Sequence, residues 1–134
     1  MKITIHGDTP SKKNSRIILC RGGKPVNIPS KHYREWHKDA LWQLREQKVF
    51  SCPYKEIRAE IEIFPKTKRK ADLTNKAESV MDLLVDAEVL EDDNWYIVKE
   101  VRIVFGGVDK DNPRAEFELK EIEEKYKVKF EKLK

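Results

Sequence analysis

Acidic side chains are concentrated between Asp72 and Asp93, at spacings that could hold a metal ion. This segment contains eight carboxylates and a single basic residue, Lys76. Carboxylates that nothing neutralises repel one another, so the segment predicts a bound divalent cation, and a few oxygen ligands completed by water are typical of Mg²⁺. Such an ion polarises a phosphoryl oxygen and lowers the pKa of a bound water. The acids therefore predict metal-assisted hydrolysis of a phosphate ester.

The acids lie along a predicted helix and in the turn that follows it. Asp72 precedes the helix, Glu78, Asp82 and Asp86 share one of its faces, and residues 91–93 lie in the turn. The helix dipole favours acidic residues near a helix N-terminus. It would explain Asp72 and Glu78 but not Asp82 and Asp86, which lie nearer the C-terminus. A solvated helix face remains the alternative. If the flanking strands are neighbours in the sheet, we expect the turn to approach Asp72 and complete a metal site.

Basic residues dominate the sequence before this acidic segment. Residues 1–70 contain 17 Lys and Arg against seven Asp and Glu, although the whole chain has a net charge of only +4. A cationic surface beside a metal site can hold the phosphate backbone of DNA without reading its bases. A solubilising loop is the alternative. The candidate DNA-contacting residues are Lys12, Lys13 and Arg16 in an early loop, and Lys66, Lys68, Arg69 and Lys70 before Asp72.

Hydrophobic periodicity predicts two helices separated by strands. The first helix, Ser30 to about Lys48, has a buried apolar stripe, and Trp36 and Trp42 are both expected in the core. The second helix, Asn75 to Asp86, is expected to be capped by its first residue with Glu78 as the reciprocal partner. The predicted strands are residues 2–6, 17–20, 25–28, 57–64, 95–105 and 115–119, the last two forming a hairpin.

The chain length of 134 residues fits a single domain, 1–134, in which the charged tail 121–134 is a short helix or a frayed end. No apolar run approaches the ~20 residues of a membrane span. The N-terminus also lacks a signal-peptide core, so we expect a cytoplasmic protein without a membrane partner. The element order indicates an α+β fold, a mixed β-sheet with two main helices packed on it. His6, His32 and His37 share no metal-ligand spacing and receive no role.

The pattern Asp72-Leu-Thr-Asn75…Asp82…Glu91-Asp92-Asp93, together with the early Gly7–Lys12 loop, resembles the RusA-type Holliday junction endonucleases. Members of that family pair an acidic helix start, D-x-D-N, with a D-D turn after the helix. The resemblance spans roughly residues 3–119. It implies a small homodimeric α+β nuclease, bacterial or phage-encoded, that uses Mg²⁺ to cut branched DNA symmetrically. It also implies that Asp72 and Asp93 are metal ligands, with Asp92 and Asp82 matched by position.

Two positions depart from the family pattern. Thr74 stands where the family has its second Asp, and Glu78 stands where it has an active-site lysine. Glu78 could restore the missing carboxylate from one turn along the helix, whereas Lys76 is nearby but faces another side. The candidate catalytic residues are therefore Asp72, Asp92, Asp93, Glu78 and Lys76, and the candidate metal ligands are Asp72, Asp82, Asp92 and Asp93.

The sequence thus predicts a Mg²⁺-dependent, structure-selective endodeoxyribonuclease that leaves 5′-phosphate and 3′-hydroxyl ends. A two-fold homodimer would give a four-way junction two matched sites, with exposed apolar residues of the first helix or the hairpins as the expected dimer surface. One alternative is a catalytically silent module of the same fold that binds branched DNA. The other is a regulatory protein that contacts another protein through its acidic face.

Overall fold

A computed structural model describes residues 1–11 and 16–127, and for the strands 16–21 and 24–29 it describes the backbone alone. These residues form six strands and two α-helices in the order β-β-β-α-β-α-β-β, followed by a short 3₁₀ turn. The elements are β1 (Lys2–His6), β2 (Arg16–Arg21), β3 (Lys24–Pro29), α1 (Lys31–Glu46), β4 (Ile57–Phe64), α2 (Leu73–Asp86), β5 (Val98–Phe105), β6 (Arg114–Glu121) and the 3₁₀ turn (Glu124–Tyr126).

Four strands form one mixed sheet in the order β1-β6-β4-β5, and β2 and β3 form a separate antiparallel hairpin. β4 and β5 run parallel because α2 connects them, and a helical crossover returns the chain to the end of the sheet where β4 began. β6 pairs antiparallel with both β1 and β4. Within the described part of the chain, β5 therefore lies at one edge and pairs with β4 alone.

The core lies between one face of this sheet and the two helices. The alternating sequence of β4 buries every second side chain, as its pattern predicts. The strand contributes Ile57, Ala59, Ile61 and Ile63, α1 contributes Tyr33, Trp36, Ala40 and Leu44, and α2 contributes Val80, Leu83 and Leu84. The predicted α+β architecture, a mixed sheet with two helices packed on it, is confirmed.

The predicted N-cap residue is correct for α1 and wrong for α2. α1 begins as expected, because Ser30 Oγ accepts a hydrogen bond from the backbone N–H of Tyr33 at 3.2 Å. α2 begins at Leu73 with Asp72 in the N-cap position, so the predicted cap at Asn75 is wrong. Aspartate is itself a preferred N-cap residue, and Asp72 already has the extended backbone that the position requires. Asn75 is instead buried inside the first turn.

Other details of the prediction are wrong because neighbouring elements decide them. β5 and β6 are not a hairpin, since β4 lies between them. β5 starts at Val98, which leaves Trp95 in the preceding turn with 77% of its surface exposed. Trp42 is 57% exposed on α1, whereas Trp36 is buried in the core. Among the described residues, no helix is both long enough and apolar enough to cross a membrane.

Candidate metal-binding and DNA-contact residues

Asp72 lies exposed at the N-terminal end of α2. Its carboxylate makes no capping bond to the helix backbone. The Asn75 amide donates a long hydrogen bond of 3.5 Å to Asp72 Oδ2. A cavity beside this end of the helix is lined by Ile63 of β4 and Phe105 of β5. Asp72 is therefore near the C-terminal ends of these two parallel strands, with its carboxylate open to solvent.

Asp92 and Asp93 lie exposed in the turn between α2 and β5. Asp92 Oδ2 accepts a hydrogen bond from the Asn94 side chain at 2.9 Å, and its Oδ1 accepts one from the backbone N–H of Asp93 at 2.8 Å. These two bonds, that of Asn94 first, hold the pKa of Asp92 below its usual value. Asp92 is consequently an ionised and oriented oxygen donor, suited to a cation.

These two acidic groups occupy opposite ends of α2. The turn with Asp92 and Asp93 lies beside the beginnings of β4 and β5, where the backbone N–H of Ile57 donates to the carbonyl of Ile97 at 2.7 Å. α2 has 14 residues, which at 1.5 Å per residue makes it about 20 Å long. Ligands of one cation each lie within about 2.6 Å of it. Although β4 and β5 are neighbours in the sheet, a single chain therefore does not bring the turn to Asp72 as expected, because α2 lies between them.

The remaining acids of α2 separate into two environments. Glu78 is exposed to solvent. Asp82 is half-buried against α1, where its Oδ2 accepts a hydrogen bond of 2.6 Å from the Tyr33 hydroxyl. Asp82 also lies close to His37 and Asp86, with candidate ligand atoms of all three within 4.8 Å of one another. Asp82 is thus grouped with residues of α1 and not with Asp72.

Lys76 is half-buried and contacts the segment that follows β1. Its Nζ donates a 2.6 Å hydrogen bond to the carbonyl of Thr9, and Ser79 Oγ, one turn further on, donates to the carbonyl of Pro10 at 2.7 Å. Burial lowers the pKa of Lys76, and the nearby charge of Asp8 opposes that change. Lys76 and Ser79 therefore fasten this segment to the side of α2.

The basic segment Lys66–Lys70 is exposed at the entrance to α2. Its position is fixed partly by Asp8, whose Oδ1 accepts a hydrogen bond from the backbone N–H of Lys66 at 3.1 Å. Arg69 and Lys70 line a cavity of about 330 Å³ beside the start of the helix. Of the early basic residues, Arg16 begins β2 and only its backbone is described, and Lys12 and Lys13 lie outside the described residues.

Sequence reasoning gave no role to Asp8 and His32, which line this cavity together with Lys76. The early Gly7–Lys12 loop was the available signal for Asp8, because that loop is part of the resemblance to the family. His32 gave no signal, because its position depends on how α1 packs beside the start of α2.

The chain is similar to known proteins over most of its length. The family model "Endodeoxyribonuclease RusA" matches residues 9–120. The chain belongs to the RusA family. It is similar to the crossover junction endodeoxyribonuclease RusA of Aquifex aeolicus (strain VF5), with 33% identity over 95 residues, which are 71% of this chain and 72% of that protein. The residues that match the RusA model include all the candidate site residues.

The departures from the RusA pattern fall at the start of α2. Thr74 and Glu78 are both exposed there, one turn apart on the helix. Asp8 lines the same cavity as Leu73, the first residue of α2. The segment after β1 therefore places the Asp8 carboxylate at the cavity beside the start of α2.

Proposed function

We propose that this chain is a Mg²⁺-dependent endodeoxyribonuclease that resolves four-way DNA junctions by symmetric hydrolysis and leaves 5′-phosphate ends. The observation that carries the proposal is that a RusA-family chain exposes carboxylates at both ends of α2, with the basic segment Lys66–Lys70 leading directly into Asp72. The name of the Aquifex aeolicus relative, a crossover junction endodeoxyribonuclease, supports the choice of substrate.

The donor chemistry of these acids suits Mg²⁺, which prefers oxygen ligands. When bound, Mg²⁺ supplies polarisation of the scissile phosphate. Since about 20 Å of helix separates the two acidic groups within one chain, they fit one ion only if two chains contribute. We infer that Asp72 of one chain lies beside the partner subunit's Asp92 and the partner subunit's Asp93 in a two-fold homodimer.

The edge strand β5 provides a surface for such a dimer. Among the described residues it pairs only with β4, on one side, and its side chains Val101, Val104 and Phe105 are 46%, 38% and 56% exposed. Antiparallel pairing with a second β5 would satisfy the open backbone edge and extend the apolar face of the sheet on which Val101 and Phe105 lie, whereas Val104 lies on the opposite face. In that arrangement the end of one β5 lies beside the beginning of the other. The start of α2 in each chain would then approach the acidic turn of its partner.

The basic residues have a separate role in this proposal. Arg69 and Lys70 at the cavity, with Lys66 and Lys68 beside them, would hold phosphates next to Asp72. Lys76 would keep Asp8 in place through its bond to Thr9. Two-fold symmetry gives two such sites, which matches the two equivalent strands of a four-way junction.

A cleavage assay tests the function. Labelled four-way junction, linear duplex and flap substrates are incubated with purified protein, with MgCl₂ and with EDTA. We expect paired incisions in the junction with Mg²⁺, no cleavage with EDTA, and little cleavage of linear duplex. Cleavage of all three substrates at equal rates would contradict junction selectivity, and cleavage that persists in EDTA would contradict the metal requirement.

A second candidate is a module of the same fold that binds branched DNA without cutting it. Thr74 and Glu78 favour this candidate, because they replace a family carboxylate and a family lysine. The same assay separates the two functions: the module binds the junction in a gel-shift experiment and produces no incision at any Mg²⁺ concentration.

Neutralising Lys68, Arg69 and Lys70 together to Gln is expected to weaken binding to all DNA sequences about equally. Each lost phosphate contact lowers the log–log salt dependence of the binding constant by about 0.9, so the slope should fall by up to about 3. Fluorescence anisotropy over a salt series measures this slope. The matched control converts three exposed cations of α1, Arg34, Lys38 and Arg45, to Gln. An equal loss in the control, or a loss confined to one DNA sequence, would contradict backbone contact by the segment.

A further inference from the structure

A second group of side chains that could ligate a metal ion lies at the contact between α1 and α2, away from the proposed catalytic acids. His37 on α1 and Asp82 and Asp86 on α2 place one nitrogen and two carboxylate oxygens within 4.8 Å of one another. Ten residues of α2 separate Asp82 from Asp72, a rise of about 15 Å. The group therefore does not share ligands with the start of the helix.

Contacts in the structure already orient these donors. His37 Nε2 lies 3.0 Å from Asp86 Oδ2, and the Tyr33 hydroxyl donates a 2.6 Å hydrogen bond to Asp82 Oδ2. The rings of Tyr33 and His37 stack, with centroids 5.6 Å apart and planes inclined by 19°. Each helix thus supplies two residues one turn apart. Tyr33 of α1 contacts Asp82 of α2, and His37 of α1 contacts Asp86 of α2. A set of ligands held in place in this way loses little conformational freedom when an ion binds.

The electrostatics of this end of α2 favour a cation. Asp82 and Asp86 lie in the last turns of the helix, where the macrodipole disfavours negative charge, and the last turn contains no basic residue. The Nδ1 atom of His37 is buried and has no hydrogen-bond partner among the described residues, whereas its Nε2 atom faces the Asp86 carboxylate.

We propose that His37, Asp82 and Asp86 bind a divalent transition-metal ion, with Zn²⁺ as the representative, which joins α1 to α2. An imidazole nitrogen favours transition metals over Mg²⁺, so this site differs in metal preference from the proposed catalytic one. Three protein ligands leave a coordination position for water. The bonds from Zn²⁺ to nitrogen and oxygen ligands are about 2.0–2.2 Å long. To form them, the three donor atoms need to approach one another by only about an ångström. The Tyr33 hydroxyl fixes the orientation of Asp82 from outside the coordination shell.

The test measures metal binding to the full chain, free of any affinity tag and treated with a chelator. Isothermal titration with ZnCl₂ and thermal unfolding with and without Zn²⁺ are compared for the wild type, His37→Gln and Asp86→Ala. We expect Zn²⁺ to raise the melting temperature of the wild type and MgCl₂ at equal concentration to raise it less. Each variant should bind Zn²⁺ at least about tenfold more weakly, since loss of even an outer partner costs that much.

Two controls separate this site from other ligands. His32→Gln removes an exposed histidine of the same helix and should leave Zn²⁺ binding unchanged. Asp93→Asn removes a proposed catalytic ligand and should leave the Zn²⁺-dependent rise in melting temperature unchanged, whether or not the protein cleaves DNA. Zn²⁺ affinities equal to the wild type in both His37→Gln and Asp86→Ala would overturn the proposal, as would a wild type that Zn²⁺ does not stabilise.

The result does not depend on whether His37→Gln folds. The side chain of Asp86 is 51% exposed, so Asp86→Ala should remain folded and can test the site by itself. Tyr33→Phe keeps the ring stack but removes the hydroxyl that holds Asp82, and it should lower Zn²⁺ affinity about tenfold or more. Co²⁺ substituted for Zn²⁺ should give visible absorption bands that are lost in Asp86→Ala, and bands that persist there would place the ion elsewhere.

Discussion

An equimolar mixture of Asp72→Asn and Asp93→Asn subunits is expected to recover DNA cleavage that each variant has lost by itself. Each homodimer lacks one ligand at both sites. Because a metal ion contributes several kcal/mol of transition-state stabilisation, and about 1.4 kcal/mol corresponds to a factor of ten, each should cleave about a thousandfold more slowly than the wild type. Both should still bind the junction, since the basic segment is intact.

The expected recovery follows from the proposal that two chains share each site. In a mixed dimer, one of the two sites contains both substitutions. The other site contains Asp72 of the Asp93→Asn chain and the partner subunit's Asp93, so it is intact. Random assortment makes half of the dimers mixed, so about a quarter of the wild-type sites return. A dimer with one intact site should nick the junction without making the paired cut. Denaturing and native gels of the same reaction distinguish nicked from resolved junction.

The control mixture combines Asp92→Asn with Asp93→Asn. Both substitutions affect the same side of the shared site, so neither site of the mixed dimer is intact and no cleavage should return. If the mixture of Asp72→Asn and Asp93→Asn recovers no cleavage after subunit exchange is verified, each site is built within one chain. Undiminished cutting by Asp72→Asn alone would remove Asp72 from the mechanism.

The fold was predictable where local pattern and burial agree. The alternating apolar residues of β4 and the apolar faces of both helices predict which side chains are buried, and the structure places them in one core. Strand neighbours were not predictable in this way. The segments that form β5 and β6 alternate like a hairpin, but the crossover through α2 places β5 parallel to β4, and β6 occupies the other side of β4.

The candidate site shows the same limit. The motif from Asp72 to Asp93 predicts one metal site, but a helix about 20 Å long lies between its two acidic groups. The helix contact that joins His37 to Asp82 and Asp86 was invisible for the opposite reason, because these residues are far apart in sequence and share no motif. Only the packing of α1 against α2 brings them together.

Val101→Lys is expected to convert the proposed dimer to monomers and to abolish cleavage without unfolding the chain. Val101 is 46% exposed on the edge strand β5, so a lysine there can reach solvent in the monomer, whereas edge pairing would bury it opposite its symmetry mate. Losing about 1.5 kcal/mol of apolar burial on each subunit raises the dimer dissociation constant at least about a hundredfold. Sedimentation velocity and circular dichroism measure assembly and folding separately.

The matched control tests the other expected dimer surface, the first helix. Trp42→Lys places the same charge on an apolar side chain that is 57% exposed on α1, and the protein should remain dimeric and active. Because the proposed shared site requires two chains, cleavage by Val101→Lys should return as protein concentration is raised above its weakened dissociation constant. A dimeric Val101→Lys protein would exclude the β5 edge as the interface. A monomer that cleaves at the wild-type rate would exclude the shared metal site, and dissociation by Trp42→Lys alone would place the interface on α1.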